Sequence, residues 1–332
     1  MVTYLEDLQR SLHALLAEDE RVYLLGEDVL DPYGGAFKVV KGLSSAYPQR
    51  VITTPISEAG IVGVGTGMAL RGLRPIVEIM FGDFITLTAD QIVNYATKFQ
   101  AMYNGQAAVP LVVRTPMGGG RGYGPTHSQS LEKLFLGVPH LRIAAPSLYH
   151  APGAMLRHAT LHDEGVVLFL EHKLLYPVKL VTQSAPPVYL ETLPGTAGYP
   201  TLLVRNYRQG APDVTVIGYG GASLLVHPLL ASLADEEIRL LVCVPGCIQP
   251  LPVADLVEAA RASRRVVIVE EGTRAFGWGA EVAATLAAEL TLHAPARRVA
   301  ALDTVIPAAK GLESLVLPAA QSVEDAIYEV LA

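Results

Sequence analysis

An acid at the start of an otherwise apolar helix needs a reason to be there. Glu58 opens the run Glu58-Ala-Gly-Ile-Val-Gly-Val-Gly-Thr-Gly-Met-Ala-Leu, in which no other side chain carries charge. A first-turn carboxylate can simply complement the helix dipole, a contribution of roughly 0.3–1 kcal/mol. It can also be buried. Burial raises a carboxyl pKa, and a buried acid at the carboxyl end of a strand is a candidate for proton transfer. Both readings fit the residues alone. The second candidate is His127, the one imidazole in a loop at residues 116–130 that holds five glycines, flanked by Thr126, Ser128 and Gln129. Long loops of this kind are more often functional than structural, although a lone histidine can equally be a satisfied surface or core residue. Arg114 and Arg121 bracket the glycines and could pair with carboxylates or receive an anionic substrate.

Other chemistry-bearing types lead nowhere. Gly60, Gly63, Gly65 and Gly67 suggest a phosphate loop, but they match neither GxGxxG nor GxxxxGK[ST] and lie inside a helix. Close backbone packing is their expected role. Cys243 and Cys247 are the only cysteines, with no second pair or nearby His to complete a tetrahedral metal set, so they are expected to be partly buried reduced thiols. The balance of 25 Lys+Arg against 32 Asp+Glu, with no basic stripe, argues against a nucleic-acid partner. The acidic amphipathic start has neither the basic n-region nor the apolar core of a signal peptide, and no run reaches the roughly 18 apolar residues of a membrane span. A soluble cytoplasmic protein without a membrane partner is expected.

The elements that must position these groups follow an α/β rhythm. Strands are expected at 22–25, 51–54, 75–80, 111–115, 141–145 and 166–170, with helices at 4–17, 58–71, 88–103, 130–136 and 150–162. The strands are apolar throughout, as when helices cover both faces of a parallel sheet. Residues 176–200 are rich in Pro and Gly and read as an interdomain crossing with one edge strand. Alternation then resumes with strands at 214–218, 239–244, 265–270 and 298–302 and helices at 222–234, 253–262 and 280–290. The fold class is therefore α/β, two domains, each a mainly parallel sheet covered by helices: a first domain at 1–180, a linker at 181–205 and a second domain at 206–332. At 332 residues the length fits two domains. Only 17% of residues are charged against roughly 25% in an average chain, which points to surface hidden in an assembly. In open α/β sheets ligands bind beyond the carboxyl ends of the strands, where Glu58 and the His127 loop both lie.

These residues, in this order, resemble the β subunit of the E1 component of 2-oxo acid dehydrogenases, the thiamine diphosphate (ThDP) family that includes pyruvate, branched-chain 2-oxo acid and acetoin dehydrogenases and is related to transketolase. The resemblance runs nearly end to end: GED at 26–28, GGAFKVVKGL at 34–43, TPISE at 54–58, GMALRGLRPIVEI at 67–79, DQIVN at 90–94, HSQS at 127–130, APS at 145–147 and LEHKLLYP at 170–177. It implies a ThDP pyrimidine-binding fold followed by a transketolase C-terminal-like domain. It implies that Glu58 hydrogen-bonds N1′ of the aminopyrimidine, favouring the imino tautomer whose N4′ can deprotonate thiazolium C2. Phe84 falls where the family packs an aromatic ring on the aminopyrimidine, and Ile56 and Gln129 are carried over as further cofactor contacts. His127 matches the HSQ histidine, which stabilises the substrate carbonyl or assists transfer to lipoamide. The family also often binds K⁺ in this domain, with Asp163 as the candidate ligand.

One family feature is missing. The diphosphate is anchored through Mg²⁺ held by a GDG…N motif, and this chain contains no GDG. The resemblance then implies that an E1 α subunit supplies the metal site, in an α₂β₂ heterotetramer with each cofactor at an α/β interface. The second domain departs from the family at 244–250, Val-Pro-Gly-Cys-Ile-Gln-Pro, where an Asp-Leu-Arg stretch is usual. Docking onto a lipoyl acyltransferase (E2) core depends on that domain. Three readings are therefore carried forward: an E1β-type subunit, a split transketolase-like enzyme forming C–C bonds with another acceptor, and a non-catalytic scaffold.

Overall fold

The computed structural model describes residues 2–332. The chain divides into two compact units. One comprises the residues up to Met117 together with Leu134–Ala144 and Ala151–Lys179; the other comprises Gly118–Lys133, Ala145–His150 and Leu180–Ala332.

The first unit runs α1 (Tyr4–Glu18), β1 (Val22–Gly26), α2 (Leu43–Ala46), β2 (Val51–Thr53), α3 (Glu58–Leu70), β3 (Arg74–Glu78), α4 (Phe99–Met102), β4 (Leu111–Met117), β5 (Leu141–Ala144), α5 (Pro152–Leu161) and β6 (Val166–His172). Its strands lie in the order β5-β6-β4-β3-β1-β2 and every pairing is parallel. β3, β4 and β6 are buried at every position, which explains their runs of consecutive apolar residues, 75–77, 111–113 and 166–170. α1 starts at a capping box, Thr3 with Glu6, and turns Tyr4, Leu8, Leu12, Leu15 and Leu16 inward. Of the four glycines in α3, Gly65 is the one pressed against the neighbouring strands. A Cβ there would fall 2.8 Å from Val77 and 3.1 Å from Leu111, whereas at Gly67 it would meet nothing within 4 Å.

The single helix expected at 88–103 is instead two short pieces, with a third segment just before them. A 3₁₀ segment spans Gly82–Thr88, a π-helical turn spans Gln91–Ala96, and α4 follows. Threonines explain the breaks, because their hydroxyls compete for backbone carbonyls. Thr88 donates to the Ile85 carbonyl at 2.7 Å, and Thr97 donates to Ile92, five residues back, at 2.8 Å.

The second unit contains β7 (Tyr189–Thr196), β8 (Tyr199–Arg205), β9 (Val214–Gly218), α6 (Ala222–Val226), α7 (Leu229–Asp235), β10 (Leu240–Pro245), a short β11 (Cys247–Gln249), α8 (Val253–Ser263), β12 (Val266–Thr273), α9 (Trp278–Glu289), β13 (Arg297–Ala301), α10 (Lys310–Val316) and α11 (Ala320–Leu331). The sheet order is β13-β12-β9-β10-β8-β7. β9, β10, β12 and β13 pair in parallel, while β8 is antiparallel to both β10 and β7. Much of the stretch read as a crossing is thus a hairpin belonging to this sheet. Its two-residue turn, Ala197-Gly198, has positive φ at both positions (52° and 84°), the geometry whose twist matches paired strands. The helix expected at 222–234 is split at His227-Pro228, since proline has no N–H to continue the ladder. The helix expected at 130–136 shrinks to one 3₁₀ turn at Glu132–Leu134, because Ser130 and Lys133 direct their side chains to Glu271 and Thr273 of β12. No helix among the described residues is long and apolar enough to cross a membrane.

Candidate active site

In the first unit two acids occupy the carboxyl ends of neighbouring parallel strands. Glu58 is the first residue of α3, capped by Ser57, whose hydroxyl accepts the Gly60 N–H at 3.3 Å. It is 6% exposed, so the burial expected from its apolar helix is present. Glu27 follows β1 and is equally buried. Its carboxyl is pushed above the ordinary value, first by burial and then by the negative charge of Glu58, with the Ser57 backbone pulling the other way. The Glu27 Oε1 atom and the Thr54 hydroxyl are buried with no hydrogen-bond partner among the described residues. Such atoms are rare in folded proteins and mark a place where a polar ligand fits. Glu27 sits in the GED motif but was not singled out, because nothing in its spacing tells a loop acid from a buried one.

Phe84 is half-buried in the 3₁₀ segment after β3, in an aromatic series: its ring is 6.1 Å from Phe81, which lies 5.5 Å from Phe37, which lies 5.3 Å from Tyr176. The preceding Gly82 cannot carry a side chain, since a Cβ would overlap Met117 at 2.3 Å. Ile56, in the loop before α3, is 84% exposed. Arg114 resolves in favour of carboxylates. It is fully buried and makes a bidentate pair with Glu171, Nε to Oε1 at 2.7 Å and Nη2 to Oε2 at 2.6 Å, and its Nη1 pairs with Glu78. The Tyr176 hydroxyl donates to Glu171 Oε2 at 2.7 Å. Asp163 is buried and ion-paired to Arg142 at 2.6 Å.

His127 and Gln129 lie in the second unit. The His127 imidazole is half-buried, and its Nδ1 is 3.0 Å from the Thr126 hydroxyl. The two ends of the glycine-rich loop meet on one carboxylate of β12: Glu271 Oε1 accepts the Gly119 N–H at 2.7 Å and the Ser130 hydroxyl at 3.0 Å. A cavity of about 410 Å³ adjoins this end of the loop, lined by Gln129, Ser130, Lys133, Glu271, Thr273 and Asp303 among others. Glu132, from the same segment, is buried and accepts the Tyr219 hydroxyl at 2.6 Å; burial holds its carboxyl above the usual range. Cys243 and Cys247 are buried thiols outside any disulfide, and burial pushes the Cys243 thiol up, away from the reactive thiolate.

Comparison with known proteins adds the following. The transketolase pyrimidine-binding domain family matches residues 1–179, and the transketolase C-terminal domain family matches residues 204–323. The chain is 36% identical to pyruvate dehydrogenase E1 component subunit beta-1, mitochondrial, of Arabidopsis thaliana, over 96% of this chain and 86% of that one. It is 35% identical to the pyruvate dehydrogenase E1 component subunit beta of Leifsonia xyli, over 98% and 93% of the two chains. It is 34% identical to the 2-oxoisovalerate dehydrogenase subunit beta of Bacillus subtilis, over 99% and 98%. Among solved structures, a split-gene transketolase described as an inactive beta4 tetramer superposes with a TM-score of 0.76 at 21% identity, covering 100% of this chain and 99% of that one; it bears on the fold alone.

Proposed function

Given that this chain belongs to the family of β subunits of 2-oxo acid dehydrogenase E1 components, we propose that it is half of a ThDP-dependent enzyme that decarboxylates a 2-oxo acid and passes the acyl group to lipoamide together with an α subunit. The observation that carries the reading is the pair of buried acids at the ends of β1 and β2, with orphaned polar atoms on Glu27 and Thr54 beside them. That set fits the polar edge of an aminopyrimidine, and with the cofactor bound Glu58 would hold the proton at N1′. Glu27, whose carboxyl burial and the charge of Glu58 push above its ordinary value, stands beside it. Phe84 and Ile56 offer apolar surface to the ring, and Gln129 is a further cofactor contact. His127 stabilises the substrate carbonyl or assists acyl transfer, as an imidazole can near neutral pH. When bound, ThDP supplies the electron sink for the pair left by departing CO₂.

The partner follows from what the chain lacks and what it exposes. Without a GDG…N motif, Mg²⁺ and the diphosphate fall to an α subunit, and the assembly is an α₂β₂ heterotetramer. Support comes from apolar side chains at the surface of α3 and of the turns packed against it: Val64, Leu70, Leu87 and Tyr95. The pyrimidine-binding domain ends near residue 180, before β7. Cell fractionation tests the cytoplasmic location, and co-purification with a lipoyl acyltransferase core tests whether the second domain, which departs from the family at 244–250, still docks there. For K⁺, the ion pair of Asp163 with Arg142 argues that this carboxylate already has its counter-ion. K⁺ activation that survives in Asp163→Asn places the ion elsewhere.

The test is reconstitution. The chain is mixed with a GDG…N partner and assayed, with lipoamide as acceptor, for decarboxylation of pyruvate and 2-oxoisovalerate and for C–C cleavage of acetoin, which has no carboxyl group to lose. Lipoamide-dependent acyl transfer is the expected result. Decarboxylation that proceeds only with an aldehyde or sugar acceptor makes the chain a split transketolase-like enzyme instead, and absence of ThDP binding by the purified complex makes it a scaffold.

A further inference from the structure

We infer that Glu313 is a positioning residue: it fills the anion site of the glycine-rich loop and so fixes where that loop presents His127. The inference rests on the reading of His127 as a catalytic group.

Glu313 belongs to α10 and is completely buried, an expensive location for a carboxylate unless donors meet both oxygens. They do. Its Oε1 accepts the Gly120 N–H at 3.0 Å and its Oε2 accepts the Gly122 N–H at 2.7 Å. Charge-assisted bonds of this kind are roughly twice as strong as neutral ones. Two nearby backbone N–H groups converging on one anion is the arrangement of an anion-binding nest. In this loop the anion is internal to the protein rather than a phosphate.

The glycines are explained by the same geometry. Gly118, Gly120, Gly122 and Gly124 have φ of 93°, 82°, 74° and 80°, a left-handed backbone at every second residue that L side chains rarely adopt. Between them, a Cβ on Gly119 would fall 2.5 Å from Leu317 and 3.1 Å from Glu313 Oε1. One on Gly122 would fall 3.2 Å from the Lys310 Cβ, and one on Gly124 3.6 Å from Ala308. The loop therefore lies along the segment 308–317, and its glycine content serves close approach rather than mobility. His127 follows directly, its own N–H donating to the Gly124 carbonyl at 3.3 Å. Glu271 gathers the loop's two ends, and Glu313 holds its middle.

Glutamine has nearly the same shape but one acceptor oxygen, so Glu313→Gln turns a donor towards one of the two glycine N–H groups. The first measurement is hydrogen exchange on the full-length chain: amides of residues 118–128 are expected to exchange at least about tenfold faster in the variant. The second uses the chain assembled with its GDG…N partner. There kcat for acyl transfer is expected to fall about tenfold, as for a misplaced reacting group, with KM for the 2-oxo acid unchanged within about twofold. Glu313→Asp, which keeps the charge, restores part of kcat. Leu315→Ala, on the exposed side of the same helix, leaves both readouts at wild-type values. Should Glu313→Gln fail to fold, Gly122→Ala makes the lesion from the loop side and is expected to lower kcat in the same way.

Wild-type exchange in Glu313→Gln overturns the proposal. So does an unchanged kcat in a complex where His127→Ala abolishes transfer. If His127→Ala itself retains full activity, the reading of His127 fails, while the exchange experiment still decides the clamp.

Discussion

Removing Arg114 is the most severe single test of the first unit's architecture. The guanidinium pairs with both Glu78 and Glu171, and both acids lie on strands buried along their whole length. Burial already holds the Glu78 carboxyl above its ordinary value against the pull of Arg114, and the charge of Glu171 raises it further. Arg114→Met keeps the volume but leaves two carboxylates 8% and 0% exposed without their cation. Breaking a buried pair from one side typically costs about 3–5 kcal/mol, because a charge is stranded. The loss depends on pH with a definite sign. Without the arginine the Glu78 carboxyl, already raised by burial, loses the one pull that lowers it, so the folded state binds more protons than the unfolded one. Stability therefore falls as pH rises through the ordinary carboxyl range towards that raised value. Urea unfolding of the variant and wild type at pH 5 and pH 7.5 measures this: the deficit is expected to be about 3–5 kcal/mol at the higher pH and smaller at the lower. The triple change Arg114→Met, Glu78→Leu, Glu171→Leu is expected to recover most of it, since apolar replacement of a whole buried cluster is often neutral. A deficit below about 1 kcal/mol, or one independent of pH, refutes the reasoning.

Glu27→Gln removes an acid whose ionisation the fold opposes; it is expected to raise the chain's melting temperature at pH 7, with the gain vanishing below the ordinary carboxyl range, as thermal scans across pH would show. Gly65→Ala forces a methyl group against Val77 and Leu111 and is expected to cost about 1–3 kcal/mol in chemical denaturation. Gly67→Ala, two residues on with open space around it, is expected to stabilise the isolated chain by up to about 1 kcal/mol. Titration calorimetry with ThDP and Mg²⁺ is expected to show poor binding by this chain alone and tight binding once the GDG…N partner is added.

What the sequence disclosed and what it hid follow from the range of the interactions involved. The buried strands announced themselves because β3, β4 and β6 each carry a run of consecutive apolar residues, and Glu58 stood out because it breaks the pattern of its own helix. The hairpin of β7 and β8 was hidden because Pro194 and Gly195 interrupt β7 and because its sheet neighbour β10 lies 35 residues further on, an offset no local pattern encodes. The helix at 88–103 had the right apolar spacing but carried threonines whose hydroxyls take backbone carbonyls. Glu27 and Glu313 are both acids in unremarkable local settings. Their significance lies in burial and in partners, one next to Glu58 and the other bonded to glycines 191 and 193 residues away. The Gly-rich loop was recognisable as unusual, yet its purpose was not, since α10 was itself not anticipated.

The account stands or falls on Glu58. The measurement is ThDP-dependent decarboxylation by the complex of this chain with its GDG…N partner, comparing wild type with Glu58→Ala, with assembly checked by sedimentation. The expected result is loss of turnover by about two orders of magnitude or more, as for removal of a proton-transfer group, in a complex of unchanged size. Undiminished turnover in an intact Glu58→Ala complex would contradict the assignment of this acid and, with it, the active site described above.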